Sequence, residues 1–144
     1  MDILLYKDGG TPGSFEPHVS AFGGGFPFDD AVINEHVYRL RISEPYSQGL
    51  LYFWLNTDRL TSEMRRKGTG AAIPGLNSTN VRELPLIVPP SDLLSELAPS
   101  TDLVLKNILR LAKQSRQLEL YRNALLPELL SGRVRIPQPP GDQG

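Results

Sequence analysis

One stretch of the sequence concentrates positive charge beside small polar side chains. Four basic residues lie within nine positions, with Glu63 the only acid between them: Arg59, Arg65, Arg66 and Lys67. The segment that follows supplies hydroxyl and amide groups, and then one more base, from Thr69, Asn77, Ser78, Thr79, Asn80 and Arg82. Arginine and lysine neutralise phosphates, while hydroxyl, amide and glycine N–H groups add hydrogen bonds at close range. This pattern is typical of a phosphate-binding surface, and a solvated helix end explains it equally well.

The other chemically active residue types form no catalytic pattern. Cysteine is absent, which excludes a thiolate nucleophile and a disulfide framework. The glycine run 9–14 lacks the lysine of a P-loop, and the run 68–73 has Ile73 where a dinucleotide fingerprint needs its third glycine. Glu35 and His36 are adjacent, so on a strand they would point to opposite faces and could not share a metal ion. We therefore expect no catalytic residue, no metal and no cofactor in this chain.

The formal net charge of -1, from 15 basic and 16 acidic residues, conceals an asymmetry. Residues 1–38 hold six acids and one base, whereas residues 39–144 hold fourteen bases and ten acids. A basic surface is therefore expected in the second part of the chain. No apolar run approaches the roughly 18 residues of a membrane span, and no signal-peptide pattern opens the sequence. We expect a cytoplasmic protein without membrane contact.

The hydrophobic periodicity predicts an α+β protein whose residues 1–90 form a small β-rich domain. Short apolar or alternating runs are read as strands, and apolar residues at helical spacing as helices, with Trp54 in the core. The stretch with six glycines and three prolines is read as a loop. The predicted elements are strands over 3–6, 37–42 and 84–90, a loop over 9–30, and helices over 47–56 and 58–67.

Residues 91–136 differ from the rest, with almost no glycine and a sustained helical period. Pro99 and Pro127 would bracket a helix of about 27 residues and about 40 Å. Ser100 or Thr101 would cap its start, with Asp102 in the first turn. Residues 137–144 are expected to be a disordered tail.

The apolar stripe of this helix follows a heptad pattern. The d positions hold Val104, Leu111, Leu118 and Leu125, and the a positions hold Ile108, Ser115, Arg122 and Leu129. Polar residues at a positions weaken packing but can fix register and partner number. A domain of about 90 residues covers at most one end of such a helix, so we expect another copy or another protein to pair with it. A helix folded back on its own domain is the alternative.

The order of these segments resembles the specificity subunits of type I restriction–modification systems. The resemblance rests on GTGAAIPGLN and ELPLIVPP at the end of the domain, and on LLPELLSGRVRI after the long helix. The opening DILLYKDGGTPGSFEPHVSAFGGGFPF and the segment INEHVYRLR also look like parts of that family's target-recognition domain. Together these segments cover residues 1–136. Only one such domain and one helix are present, and domains of that family carry a further stretch before the segment that corresponds to Asp2. The resemblance therefore implies an N-terminally truncated recognition domain, either a half-subunit that dimerises or a gene fragment.

The resemblance implies a non-catalytic DNA-recognition subunit. In that family, two recognition domains held apart by antiparallel helices each read half of an interrupted DNA site. Modification subunits bind S-adenosylmethionine and methylate adenine, and restriction subunits driven by ATP cut unmethylated DNA. The expected partners are double-stranded DNA, a methyltransferase (modification) subunit, a restriction subunit and a second copy of the chain. S-adenosylmethionine, ATP and Mg belong to the partner subunits, and this chain itself binds no cofactor.

These inferences assign two sets of residues. DNA contacts are predicted for Lys7, Arg65, Arg66, Lys67, Thr69, Asn77 and Thr79. The helix interface is predicted for Val104, Ile108, Leu111, Ser115, Leu118, Arg122 and Leu125. Two alternatives from other classes are a protein-interaction fragment that docks on a methyltransferase subunit without reading DNA, and a small enzyme using Glu35, His36 and the glycine loops.

Overall fold

The computed structural model describes residues 1–11, 13–69 and 74–135. Within them the chain is mixed α+β, as expected: a three-stranded antiparallel sheet is followed by helices, of which the last is very long. The elements in chain order are β1 (Asp2–Tyr6), β2 (His18–Phe22), β3 (Val37–Leu40), α1 (Gln48–Leu55), α2 (Asp58–Gly68), α3 (Ser78–Arg82) and α4 (Ser91–Leu130).

The sheet has the order β2-β1-β3, with β1 in the centre. Ile3 and Leu5 are fully buried, because alternate residues of a strand share one face and this face lies on the helices. Leu5 is opposite Val19 on β2 and Tyr38 on β3, which extend the apolar face across all three strands. The predicted strands at 3–6 and 37–42 are confirmed as β1 and β3.

Two parts of the predicted β-structure are wrong. Residues 18–22, inside the predicted 9–30 loop, form β2, because Val19 and Ala21 alternate with polar residues and pair with the apolar face of β1. The predicted strand 84–90 is not a strand. Its prolines 85, 89 and 90 lack the N–H that a strand ladder needs, and Leu84 is buried in the core from a segment without regular secondary structure.

The two short helices begin where the sequence predicts them. Ser47 accepts a hydrogen bond from the N–H of Leu50 (3.1 Å), and Thr57 caps α2 in the same way at Leu60. Both helices turn apolar side chains toward the sheet, where they join Phe15 in one core. The predicted helices over 47–56 and 58–67 are therefore confirmed as α1 and α2, and Trp54 packs half-buried against the same core.

The predicted bracketing of the last helix by its prolines is wrong. α4 is one helix of 40 residues, about 60 Å long, and both Pro99 and Pro127 lie inside it. A proline inside a helix costs about 3 kcal/mol. Leu94, which precedes Pro99, is buried, and only three residues after Pro127 are helical. Among the described residues, no helix combines the length and apolar content needed to cross a bilayer.

The first half of α4 belongs to the core of the domain, and the second half leaves it. Leu94, Leu105 and Leu109 are buried, and α4 packs mainly on α1. After Lys113, which pairs with Asp29 at 3.4 Å, the side chains to the helix end are exposed apart from the partly covered Glu128. This outer part spans about 25 Å. The first half of α4 therefore folds back on its own domain, as in the alternative expectation, and pairing of the exposed second half with another helix stays a prediction.

Candidate nucleic-acid interface

Three of the four residues of the predicted basic cluster form the last turn of α2, whereas Arg59 lies in its first turn. Arg65, Arg66 and Lys67 are consecutive in that last turn, so their side chains spread around the end of the helix. Cations at a helix C-terminus are stabilised by the partial negative charge of the last carbonyl groups, and Asp58 in the first turn complements the other end. Local helix electrostatics therefore account for part of the charge pattern without any ligand.

Each of the three cations in this last turn already has a carboxylate partner. Arg65 donates twice to Glu16 Oε2, from Nε at 3.1 Å and Nη2 at 2.7 Å. Arg66 donates to both oxygens of Glu63, at 3.0 and 2.6 Å. The Arg66 hydrogen bond lowers the pKa of Glu63. Ion pairs on an exposed helix surface contribute little to stability, because solvent screens the charges. A phosphate can therefore replace the carboxylates at small cost.

The third pair brings α2 next to the segment that leads into α4. Lys67 Nζ lies 3.3 Å from Glu83 Oε2, and the Lys67 carbonyl accepts a hydrogen bond from Asn80 Nδ2 at 3.4 Å. The Gly75 N–H donates to the carbonyl of Gly68 at 2.9 Å. The end of α2 and the start of α3 are thereby held together, although the chain between them includes residues 70–73, which lie outside the described residues.

Lys7 joins the same region from the end of β1. Its carbonyl accepts a hydrogen bond from the N–H of Leu76, one residue before Asn77. Its ammonium lies 5.6 Å from the centroid of the Tyr38 ring, a cation–π distance. The structure therefore brings the first strand, the end of α2 and the start of α3 into one neighbourhood, and all seven predicted DNA-contact residues lie on these elements or directly beside them.

The polar residues of this set differ in their availability. The Thr69 hydroxyl donates to the carbonyl of Arg65. Asn77 Oδ1 caps α3 by accepting from the N–H of Asn80 at 2.8 Å, which leaves the Asn77 amide donors exposed. Thr79 is exposed, and its hydroxyl makes no hydrogen bond to a described residue. Asn77 and Thr79 can therefore donate to a ligand without breaking an existing bond.

Two further arginines on the same helices have no ion-pair partner among the described residues. Arg59 lies four positions before Glu63, but Arg66 takes that carboxylate. Arg82 is adjacent to Glu83, whose carboxylate pairs with Lys67. Both arginines are exposed. They are more readily available to a phosphate than Arg65, Arg66 and Lys67. Sequence reasoning missed this difference, because it depends on contacts between elements, such as that of Lys67 with Glu83, which helical spacing does not predict.

A separate polar contact fixes the segment that precedes β3. His36 Nδ1 lies 2.8 Å from Asp8 Oδ2, and this hydrogen bond, with the charge of Asp8, raises the pKa of His36. His36 Nε2 lies 3.5 Å from Glu35 Oε1. The prediction that Glu35 and His36 point to opposite faces is wrong, because both residues lie in a turn before the strand begins. Among residues 1–11, 13–69 and 74–135, no three such side chains come together as metal ligands.

The predicted interface residues of α4 lie on its uncovered side. Val104 is 49% exposed, Leu118 67% and Leu125 52%, whereas Leu105 and Leu109 face the domain. The remaining members of the predicted set, Ile108, Leu111, Ser115 and Arg122, are exposed as well. The helix therefore carries two apolar faces: one is buried against α1 and its neighbours, and the other is not covered by any described residue.

Comparison with models of known protein families, with functionally characterised proteins and with solved structures found no match to this chain.

Proposed function

We propose that this chain is a DNA-recognition subunit of a type I restriction–modification complex, itself non-catalytic. It would direct adenine methylation and ATP-dependent DNA cleavage by the methyltransferase and restriction subunits, which supply S-adenosylmethionine, ATP and Mg. The observation that carries the proposal is the convergence of Lys7, the end of α2 and the start of α3. The proposal combines this geometry with the resemblance of the sequence segments.

The basic region supports a role in DNA binding through its balance of charge and hydrogen-bond donors. Arg65, Arg66 and Lys67 would exchange their carboxylate partners for phosphates, and Arg59 and Arg82 would add contacts without any exchange. Asn77, Thr79 and Thr69 would approach the duplex beside them. Because the carboxylates compete, affinity from this chain alone would be modest, which suits a subunit that binds DNA within a larger complex.

The uncovered face of α4 supports the assembly part of the proposal. Exposed apolar residues at positions a and d along a helix are typical of a surface that pairs with another helix. A second copy of this chain, related by a two-fold axis, would place two recognition domains at opposite ends of a helix pair. The modification and restriction subunits would then dock on that pair.

The decisive experiment measures DNA affinity against salt concentration. Fluorescence anisotropy with a mixed-sequence duplex compares the wild type with the triple variant Arg65→Ala, Arg66→Ala, Lys67→Ala. For each phosphate that is no longer bound, the slope of log K against log salt should fall by about 0.9. The control triple variant on α4, Lys106→Ala, Arg110→Ala, Arg116→Ala, changes the net charge equally and should change the slope less. An unchanged slope in the first variant would exclude the α2 cluster from the interface.

A second candidate is a protein-interaction fragment that docks on a methyltransferase subunit without reading DNA. The saturation of the three cations by Glu16, Glu63 and Glu83 favours it. Absence of a gel shift at low salt, together with stable co-purification with a modification subunit, would decide for this function. Co-expression followed by mapping of methylated adenines would decide for the first.

A further inference from the structure

β3 is an edge strand whose outer side is not paired with any described residue. The Lys7 N–H donates to the carbonyl of His36, the residue opposite it, at 3.0 Å. Tyr38 lies opposite Leu5 and Leu40 opposite Ile3, two and four positions before Lys7 on the same side of the ladder. Peptide groups alternate in direction along an antiparallel strand. Those of Tyr38 and Leu40 therefore face β1, and those of Arg39 and Arg41 point away from the sheet. This leaves a short row of free N–H and C=O groups.

An apolar cavity lies directly beside this edge. Its volume is about 230 Å³, and Leu40 forms part of its wall from the core face of the sheet. A strand added next to β3 would point every second side chain to that face. The residue opposite Leu40 would then enter the cavity. The other apolar residues of the lining are Ile42, Leu51, Leu55, Val81, Leu84 and Leu86.

The opposite face of the same edge is basic. Arg39 and Arg41 point there, since they alternate with Leu40 along β3. Arg41 also forms part of the cavity lining, together with Arg82. Arg41 pairs with Asp2, whereas Arg39 and Arg82 form no ion pair with a described residue. Residues added opposite Arg39 and Arg41 would therefore meet guanidinium groups.

We propose that this edge binds an extended segment of a partner protein in which one apolar residue stands between two acidic residues. The backbone of the segment would pair with the free groups of Arg39 and Arg41. Its apolar side chain would fill the cavity beside Leu40, and its two carboxylates would face the arginines. This inference does not depend on the proposed function.

The charge and shape of this edge favour a segment of a different protein over a second copy of this chain or DNA. A second copy of β3 would bring Arg39 and Arg41 against their own counterparts, and the sequence of this chain contains no acidic–apolar–acidic tripeptide. DNA could neutralise the arginines, but it could neither fill an apolar cavity nor extend a sheet.

The binding experiment uses the full chain and a labelled nine-residue peptide with Glu-Leu-Glu at its centre and Ser and Thr at its flanks. We expect saturable binding, with the N–H groups of Arg39 and Arg41 protected from hydrogen exchange. Replacing the central Leu of the peptide by Ser should lower its affinity at least tenfold. Equal affinity of the Ser peptide would overturn the proposal, as would protection of the same N–H groups by duplex DNA.

Two substitutions at one position separate backbone pairing from charge. Arg39→Thr removes the charge but keeps the outward N–H, whereas Arg39→Pro removes both without touching the bonds between β3 and β1. We expect Arg39→Pro to bind the peptide at least fivefold more weakly than Arg39→Thr, and Arg110→Ala, on the exposed surface of α4, to bind as the wild type does. Retained exchange protection in β1 verifies that the sheet is intact. Equal affinities of the two Arg39 variants would refute strand addition.

Discussion

Gly49 in α1 lies directly against the peptide group that links Thr101 to Asp102 in α4. A Cβ atom at Gly49 would overlap the Thr101 carbonyl, so the two helix backbones can approach only because this residue has no side chain. The Gly49 N–H donates to Asp102 Oδ1 at 2.7 Å across the same contact, and the hydroxyls of Ser47 and Thr101 lie 3.2 Å apart. These contacts fix the long helix to the domain.

Gly49→Ala should therefore destabilise the protein, although alanine is the better helix former. Because the clash is with backbone atoms, overpacking should cost about 2–3 kcal/mol, the upper part of its usual range, and the better helix propensity of alanine offsets about 1 kcal/mol. We expect a net loss of about 1–2 kcal/mol in the free energy of unfolding, measured by urea denaturation. Gly24→Ala is the matched control, since nothing lies within 4 Å of its Cβ position, and it should change stability by less than about 0.5 kcal/mol. Equal stability of both variants would contradict the close helix contact.

Asp102→Ala should weaken α1, the helix that Asp102 caps from outside. The loss of a charged acceptor for a helix N-terminal N–H costs about 1–2 kcal/mol. Asp102→Asn keeps an acceptor oxygen and should lose less than half as much. Urea denaturation of the three proteins gives the comparison, and a stability of Asp102→Ala equal to that of the wild type would mean that the carboxylate does not cap α1.

Interactions between neighbours in sequence were predictable here, and interactions across the fold were not. A compact apolar run identified β1, alternation identified β3, and residues at helical spacing identified α1 and α2. Asp102 was expected to start its own helix, but its carboxylate caps α1, 53 positions earlier. β2 was missed because glycines and prolines surround five residues whose strand character depends on pairing with β1.

The candidate site shows the same division. The basic run at the end of α2 and the polar residues after it are visible in the sequence, and the structure places them together. The ion pairs that neutralise these bases cannot be predicted from the sequence, because Arg65 pairs with Glu16, 49 positions away, and Lys67 pairs with Glu83, 16 positions away. The heptad stripe predicts apolar exposure on α4, whereas the continuation of the helix through Pro99 is not predicted by the sequence.

The contact between Asp8 and His36 should make stability depend on pH. Asp8 raises the pKa of His36 above its ordinary value of 6.5. The contribution of the charged pair is therefore fully present below pH 6.5 and is lost as the pH rises through the raised pKa. Asp8→Asn should bring the His36 pKa back toward 6.5, followed by NMR titration of the imidazole. The destabilisation of this variant should be larger at pH 6 than at pH 9, and an unchanged titration midpoint would contradict the contact.

Removing the competing carboxylates should strengthen DNA binding if the proposed function is correct. The triple variant Glu16→Gln, Glu63→Gln, Glu83→Gln frees the three cations at the end of α2. Each additional phosphate that these cations bind should steepen the salt dependence by about 0.9 in the log–log slope. A control with the same charge change is Asp30→Asn, Asp92→Asn, Glu96→Gln, whose carboxylates pair with no described cation. If both variants bind DNA more tightly to the same extent, net charge is responsible and the α2 cluster is not.

The projecting part of α4 offers a direct test of its pairing with a second helix. Leu118 lies at a d position and Leu120 at an f position on the far side, yet both are exposed, at 67% and 52%. Leu118→Glu should dissociate a dimer formed through the stripe, because it places two charges in the apolar seam. Leu120→Glu should leave the dimer intact, and neither substitution should lower the stability of the domain by more than about 0.5 kcal/mol. Light scattering at several concentrations measures the mass, and a monomeric wild type or equal dissociation by both variants would exclude pairing through this face.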